Sequence, residues 1–129
     1  MSYSIYTENA PKAIGPYSQA VVSGNIVFTS GQIALNPQSG EIEGTDIASQ
    51  THQVCKNLKA VLEAASSSLD KAVKTVCYLS DMKNFAAFNE VYALYFKNAP
   101  ARSCVAVKEL PKGVLVEVDV IAEKGESDI

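Results

Sequence analysis

The sequence has no tryptophan, a single histidine (His52) and only three cysteines, and each shortage closes a class of chemistry. With one histidine, lying inside a stretch of helical spacing, a Ser-His-Asp or Cys-His arrangement is disfavoured. His52 and Cys55 stand three apart and can share a helix face, yet no third or fourth ligand sits at zinc-like spacing, so no metal is expected. Cys55, Cys77 and Cys104 contain no CxxC and are odd in number, the pattern of free thiols in a reducing compartment. There is no P-loop and no GxGxxG. No apolar run approaches the roughly 20 residues that span a bilayer. The opening Met1-Ser2-Tyr3-Ser4 lacks the basic start and apolar core of a signal peptide. A cytoplasmic chain without membrane attachment is the expectation.

Positive charge is also scarce. The net charge is −3 and the sequence pI is near 5.1. Such a chain repels a phosphate backbone over most of its surface, and no Lys/Arg run builds a basic stripe, so no nucleic-acid partner is expected. What is present suits one ordinary domain. Its 129 residues, 47% of them hydrophobic, suffice for one core and not two. The reading is a single domain over 1–129 with a polar tail from about Lys124.

Val21 to Ser30 reads as two short strands broken at Ser23-Gly24-Asn25, and Asn36 to Gly40 as a loop. Thr45 or Asp46 caps a helix in which Ile47, Val54, Leu58, Val61, Leu62 and Ala65 recur at helical spacing, with Lys56, Lys59 and Glu63 on the far side. Ser66-Ser67-Ser68 ends it. Ala72 to Ser80 reads as a strand. Asp81 caps a second helix whose Phe85, Phe88, Tyr92, Tyr95 and Phe96 form an aromatic stripe facing a sheet. Pro100 closes that helix, and Arg102 to Val107 and Val114 to Glu123 read as strands.

The last strand has two distinct sides. Val114, Val116, Val118, Val120 and Ala122 face one way; Leu115, Glu117, Asp119 and Ile121 face the other. The expected architecture is α+β, a single sheet with two helices packed on one face. The mixed side is too apolar for plain solvent and too charged for a closed core. It is expected to meet other subunits, with its carboxylates near a polar cavity.

Three segments could carry chemistry. In Gly15-Pro16-Tyr17-Ser18-Gln19-Ala20 a tyrosine sits between a turn and a strand, and in Ser30-Gly31-Gln32 a glycine allows close approach of a ligand to backbone. From local pattern alone, a plain turn and a plain strand end are the favoured readings of the two. In Pro100-Ala101-Arg102-Ser103-Cys104 the arginine is either a surface ion-pair partner or a clamp that donates two parallel hydrogen bonds to a carboxylate. Local pattern does not choose. Cys104 is not expected to be a nucleophile, since no base stands near to make its thiolate.

Taken together, Ile14-Gly15-Pro16-Tyr17-Ser18-Gln19, Thr29-Ser30-Gly31-Gln32, Asn84-Phe85-Ala86-Ala87-Phe88-Asn89 and Pro100-Ala101-Arg102-Ser103-Cys104-Val105 resemble the RidA (reactive intermediate deaminase, YjgF-type) family, in register from about Thr7 to Glu123. The resemblance implies a chorismate-mutase-like fold and a homotrimer with clefts between subunits. It also implies a 2-iminobutanoate/2-iminopropanoate deaminase activity. In that activity 2-aminoacrylate and related enamines or imines, which escape from pyridoxal-phosphate enzymes, are hydrolysed to 2-oxo acids and ammonium without metal or organic cofactor. The family's carboxylate-binding arginine falls on Arg102, its cleft tyrosine on Tyr17, its Ser-Gly pair on Ser30 and Gly31, and its pocket cysteine on Cys104. The acidic residue beside the attacking water falls on Glu117 and the pocket asparagine on Asn89. Lys97-Asn98-Ala99 is shorter than in many members, which bears on the rim near Arg102 and so on substrate size.

Two other readings stand beside this one. A regulatory module that binds small 2-oxo acids would need Arg102 but not Glu117. An RNA-directed translation inhibitor or ribonuclease is disfavoured by the acidic balance.

Overall fold

The longest amphipathic stretch forms helix α1 (Ile47–Ala64) in the computed structural model, which describes residues 1–125. Asp46, not Thr45, is its cap. Its carboxylate accepts from the Ser49 amide at 2.8 Å, and its own amide donates back to the Ser49 hydroxyl, a reciprocal box that satisfies both amides. Val54, Leu58, Val61 and Leu62 are fully buried, as their spacing predicts. Ser66, in left-handed backbone at φ 61°, turns the chain out of the helix.

Six strands make one mixed sheet in the order β1-β2-β3-β6-β4-β5. They are β1 (Ser2–Ile5), β2 (Ala20–Ser23), β3 (Ile26–Thr29), β4 (Ala72–Leu79), β5 (Ala101–Ala106) and β6 (Val116–Glu123). Every pairing is antiparallel except β4 with β5. The β2–β3 hairpin turns through Gly24 at φ 60°, a conformation that favours a residue without a Cβ. The edge strand β1 was not expected; it is short and almost wholly exposed, so it carries no apolar periodicity to read. The final strand starts at Val116 rather than Val114, because Pro111–Gly113 form a 3₁₀ turn ahead of it. Val114 is nonetheless buried.

Helix α2 (Phe85–Tyr95) follows a single 3₁₀ turn, and it is this turn that Asp81 caps, through the Lys83 amide. Phe88, Tyr92 and Phe96 are buried and Tyr92 stacks on Phe96, whereas Phe85 and Tyr95 stand half-buried at the margin. Asn98 then clamps the short link into β5 by donating to the carbonyls of Asp70 and Ala72 at 2.8 and 3.1 Å.

Both helices cover one sheet face, packing on Val116, Val118, Val120 and Ala122 of β6. The opposite face is uncovered within the chain. It exposes Val21, Phe28 and Val105 and holds Glu117 and Asp119 half-buried. At the C-terminal end Lys124 and Gly125 donate to the carbonyls of Asn25 and Ser66; the rest of the expected tail, 126–129, lies outside the described residues. No helix among the described residues is long and apolar enough to cross a membrane.

Candidate active site

The expected site residues fall into two groups at different places on the chain. The first lines a cleft of about 570 Å³ and comprises Tyr17, Ser30, Gly31 and Glu117. The second, Arg102, Asn89 and Cys104, does not reach that cleft.

Glu117 projects from the uncovered face of β6, opposite Tyr78 of β4. The segment after β3 bridges β6 where Gln32 and Val118 exchange amide-to-carbonyl bonds at 2.8 and 3.1 Å, which lays Gly31 against the glutamate. A Cβ built on Gly31 would fall into the Glu117 carboxylate, so only glycine leaves that group its place. Burial pushes the Glu117 carboxyl above its ordinary range, and the nearby Asp119 charge pushes it the same way.

The cleft walls are held by buried amides that the sequence reading left without a role. Gln19 receives the Thr7 amide at 2.7 Å and donates to the carbonyls of Thr7, Ala10 and Pro11, fixing the chain that precedes Tyr17. Asn57 of α1 donates to the carbonyls of Ile33 and Leu35 at 3.1 and 3.0 Å, and Gln50 links Gly44 to Leu115. A signal was available: Gln50 and Asn57 are polar residues spaced i−4 and i+3 from Val54 on the apolar face of a helix. The Ser30 hydroxyl donates to the Ser18 carbonyl at 2.6 Å, so its free lone pair remains to accept. Tyr17 is exposed, and its hydroxyl accepts from the Ile14 amide at 3.4 Å.

Arg102 lies on the edge strand β5, on the face turned toward α2. Its guanidinium sits over the rings of Tyr92, at 4.9 Å from the centroid, and Phe85, at 5.5 Å. Nη1 donates to the Asn89 carbonyl oxygen at 2.8 Å. Tyr92 is in turn fixed by a 2.7 Å bond between its hydroxyl and Thr75. Among the described residues the ion pairs are Lys59–Glu63 and Lys83–Asp81, so Arg102 is not a surface ion-pair partner within its own chain. The guanidinium is half-buried, oriented, and keeps N–H groups free for a planar anion. Cys104 stands two positions further on the same face; burial raises its thiol and Arg102 only partly offsets this, which does not make a nucleophile.

Glu117 and Arg102 do not meet within one chain. They lie on strands separated by β4, three positions apart in register and on opposite sheet faces. His52, set aside as a ligand, bonds through Nδ1 to the Tyr95 hydroxyl at 2.8 Å and ties α1 to α2.

Residues 7–124 match the family model described as Endoribonuclease L-PSP. A RutC family protein of Pyrococcus horikoshii is 54% identical over 96% of this chain and 99% of its own. The 2-iminobutanoate/2-iminopropanoate deaminase of Escherichia coli is 48% identical over 95% of this chain and 98% of its own. Among solved structures, Escherichia coli TdcF with bound serine is 42% identical with a TM-score of 0.90, covering 95% of this chain and 99% of that one. A match of this length and identity, on a fold with the same two-layer sheet, is conclusive: the chain belongs to the RidA/YjgF family, the family of the Endoribonuclease L-PSP model.

Proposed function

We propose that this protein hydrolyses enamine and imine derivatives of 2-oxo acids to the 2-oxo acid and ammonium, in a site that two copies of the chain complete together. The observation that carries the reading is the division of the candidate residues. One half-site offers a guanidinium aligned by Asn89, Phe85 and Tyr92 with no carboxylate of its own. The other offers a carboxylate in a cleft where, among the described residues, no cation is within ion-pair distance of it. Docking copies of the chain in a closed homotrimer would cover Val21, Phe28 and Val105 and bring the halves together.

In such a site Arg102 grips the substrate carboxylate through two parallel hydrogen bonds and so fixes which face of C2 meets water. The enamine first becomes the imine by moving a proton from nitrogen to the terminal carbon, and the imine nitrogen then takes a proton from solvent. Water then adds to C2. Its proton passes to Glu117, the π pair of the C=N bond goes to nitrogen, and a carbinolamine forms. Glu117 returns the proton to nitrogen, the C–N bond breaks with its electron pair leaving on ammonia, and the hydroxyl passes its proton to that ammonia to leave the ketone and ammonium. Oxidation states are unchanged, so no redox partner is needed. A carboxyl held above its ordinary range is a better proton acceptor near neutrality than a free one. Tyr17 and Ser30, which line the same cleft, hydrogen-bond water or the departing nitrogen in this reading.

The test is release of 2-oxo acid and ammonium from imines generated in situ from several amino acids. Arg102→Ala is expected to lose about 10²-fold or more in kcat/KM while folding and assembling normally. Full activity in that variant contradicts the clamp. A second reading, a regulatory module that binds small carboxylates, gains support from TdcF having been solved with serine, an amino acid rather than an imine. Calorimetric binding of a 2-oxo acid by a wild-type protein without turnover would select it.

A further inference from the structure

Asp119, on the uncovered face, has no part in the reaction just described. It stands two positions after Glu117 on β6 and projects from the same face. Its carboxylate accepts from the Tyr78 hydroxyl at 3.4 Å, and Tyr78 is itself the register partner of Glu117 on β4. The tyrosine thus reaches diagonally across the strands and holds the second carboxylate beside the first. Among the described residues neither carboxylate lies within ion-pair distance of a cation. Residues two apart on a strand are about 7 Å apart, and half-buried like charges at that spacing repel. Glu117 has no room to withdraw toward Gly31, where the chain has already surrendered a Cβ to accommodate it.

We propose that Asp119, fixed by the Tyr78 hydroxyl, is a positioning residue that makes Glu117 a stronger base toward the attacking water. This rests on Glu117 being that base, as proposed above. Among the described residues of one chain, the titratable groups facing the pair are Lys74 and Tyr78 from β4, with Lys12, Tyr17 and Lys112 around the cleft, while β3 supplies none; in the assembly proposed above, Arg102 of the adjoining copy faces the cleft as well. Burial pushes the Asp119 carboxyl above its ordinary range, and the Tyr78 hydroxyl and Lys74 partly offset this by favouring its ionised form. The Asp119 charge, added to burial, then favours the protonated form of Glu117. A base with greater proton affinity takes the proton from water more readily, provided it is ionised at the working pH.

Two readouts test this on the full-length protein. Carbon-13 NMR of the side-chain carboxyls follows both groups, with Glu117 identified by its loss in Glu117→Gln. Asp119→Asn is expected to move the Glu117 midpoint to lower pH, and Tyr78→Phe to move the Asp119 midpoint to higher pH. In the deaminase assay Asp119→Asn should shift the acid limb of kcat to lower pH and lower the plateau roughly two- to tenfold, with KM unchanged. An active enzyme whose Glu117 midpoint stays put in Asp119→Asn overturns the proposal. An unmoved Asp119 midpoint in Tyr78→Phe overturns the part given to the tyrosine, even if Asp119→Asn folds poorly. A wild-type protein with no turnover fails at the earlier step instead, the reading of Glu117 as a base.

Discussion

At the scale of single residues, the proposed base sets stability against function. Because the Glu117 carboxyl sits above its ordinary range in the folded chain, the folded state holds that proton more tightly than the unfolded one. Its stabilising contribution is therefore complete below the unfolded pKa and is lost as pH rises through the folded one. Near neutrality the ionised glutamate works against folding. Glu117→Gln should accordingly raise the melting temperature at about pH 7 and lose that advantage near pH 4, which thermal melts at the two conditions would check. The same variant should slow turnover by about 10²- to 10⁴-fold, more than it weakens binding of a 2-oxo acid; the reverse pattern would make Glu117 a binding group only. Gly31→Ala addresses the same carboxylate from the other side. The new methyl must displace Glu117, so kcat should fall by at least about tenfold while circular dichroism and KM change little.

At the scale of elements, the cleft depends on α1 as much as on the strands that carry its chemistry. Asn57 is buried among aliphatic neighbours and satisfies two carbonyls of the 33–35 segment. Asn57→Ala should cost about 1–3 kcal/mol in urea unfolding, because those carbonyls lose their donor. Amide exchange should quicken around Ile33 and Leu35 before it does in the rest of the sheet. Leu58→Ala, one position on, should cost about 2–5 kcal/mol by opening a cavity, without that local signature. Much of this architecture was legible. Helical spacing found α1 and α2, and period-two alternation assigned the two sides of β6. Pairing was not legible: nothing in Ala101–Ala106 says that it lies parallel to β4, and nothing in Ser2–Ile5 announces a strand. The candidate site residues came into view through a resemblance carried by four motifs in register, since Arg102 alone reads equally well as a surface cation. Its aromatic seat under Tyr92 and Phe85 comes from a helix that the linear pattern could only call core-facing.

At the scale of the whole molecule, the decisive feature is that one chain holds both halves of the proposed site and does not join them. That arrangement makes complementation between variants a sharp test. Arg102→Ala keeps the cleft with Glu117 and lacks the clamp; Glu117→Gln keeps the clamp and lacks the base. Each should be nearly inactive alone. In the proposed ring of copies each site would take its cleft from one protomer and its arginine from the next. Random exchange of equal amounts of the two variants should therefore restore about a quarter of wild-type activity, the fraction of junctions pairing an intact cleft with an intact arginine. Native mass spectrometry would verify that mixed assemblies had formed. Recovery near that level can arise only from sites built across a subunit boundary. Mixed assemblies that remain inactive would mean that Arg102 and Glu117 never serve the same substrate.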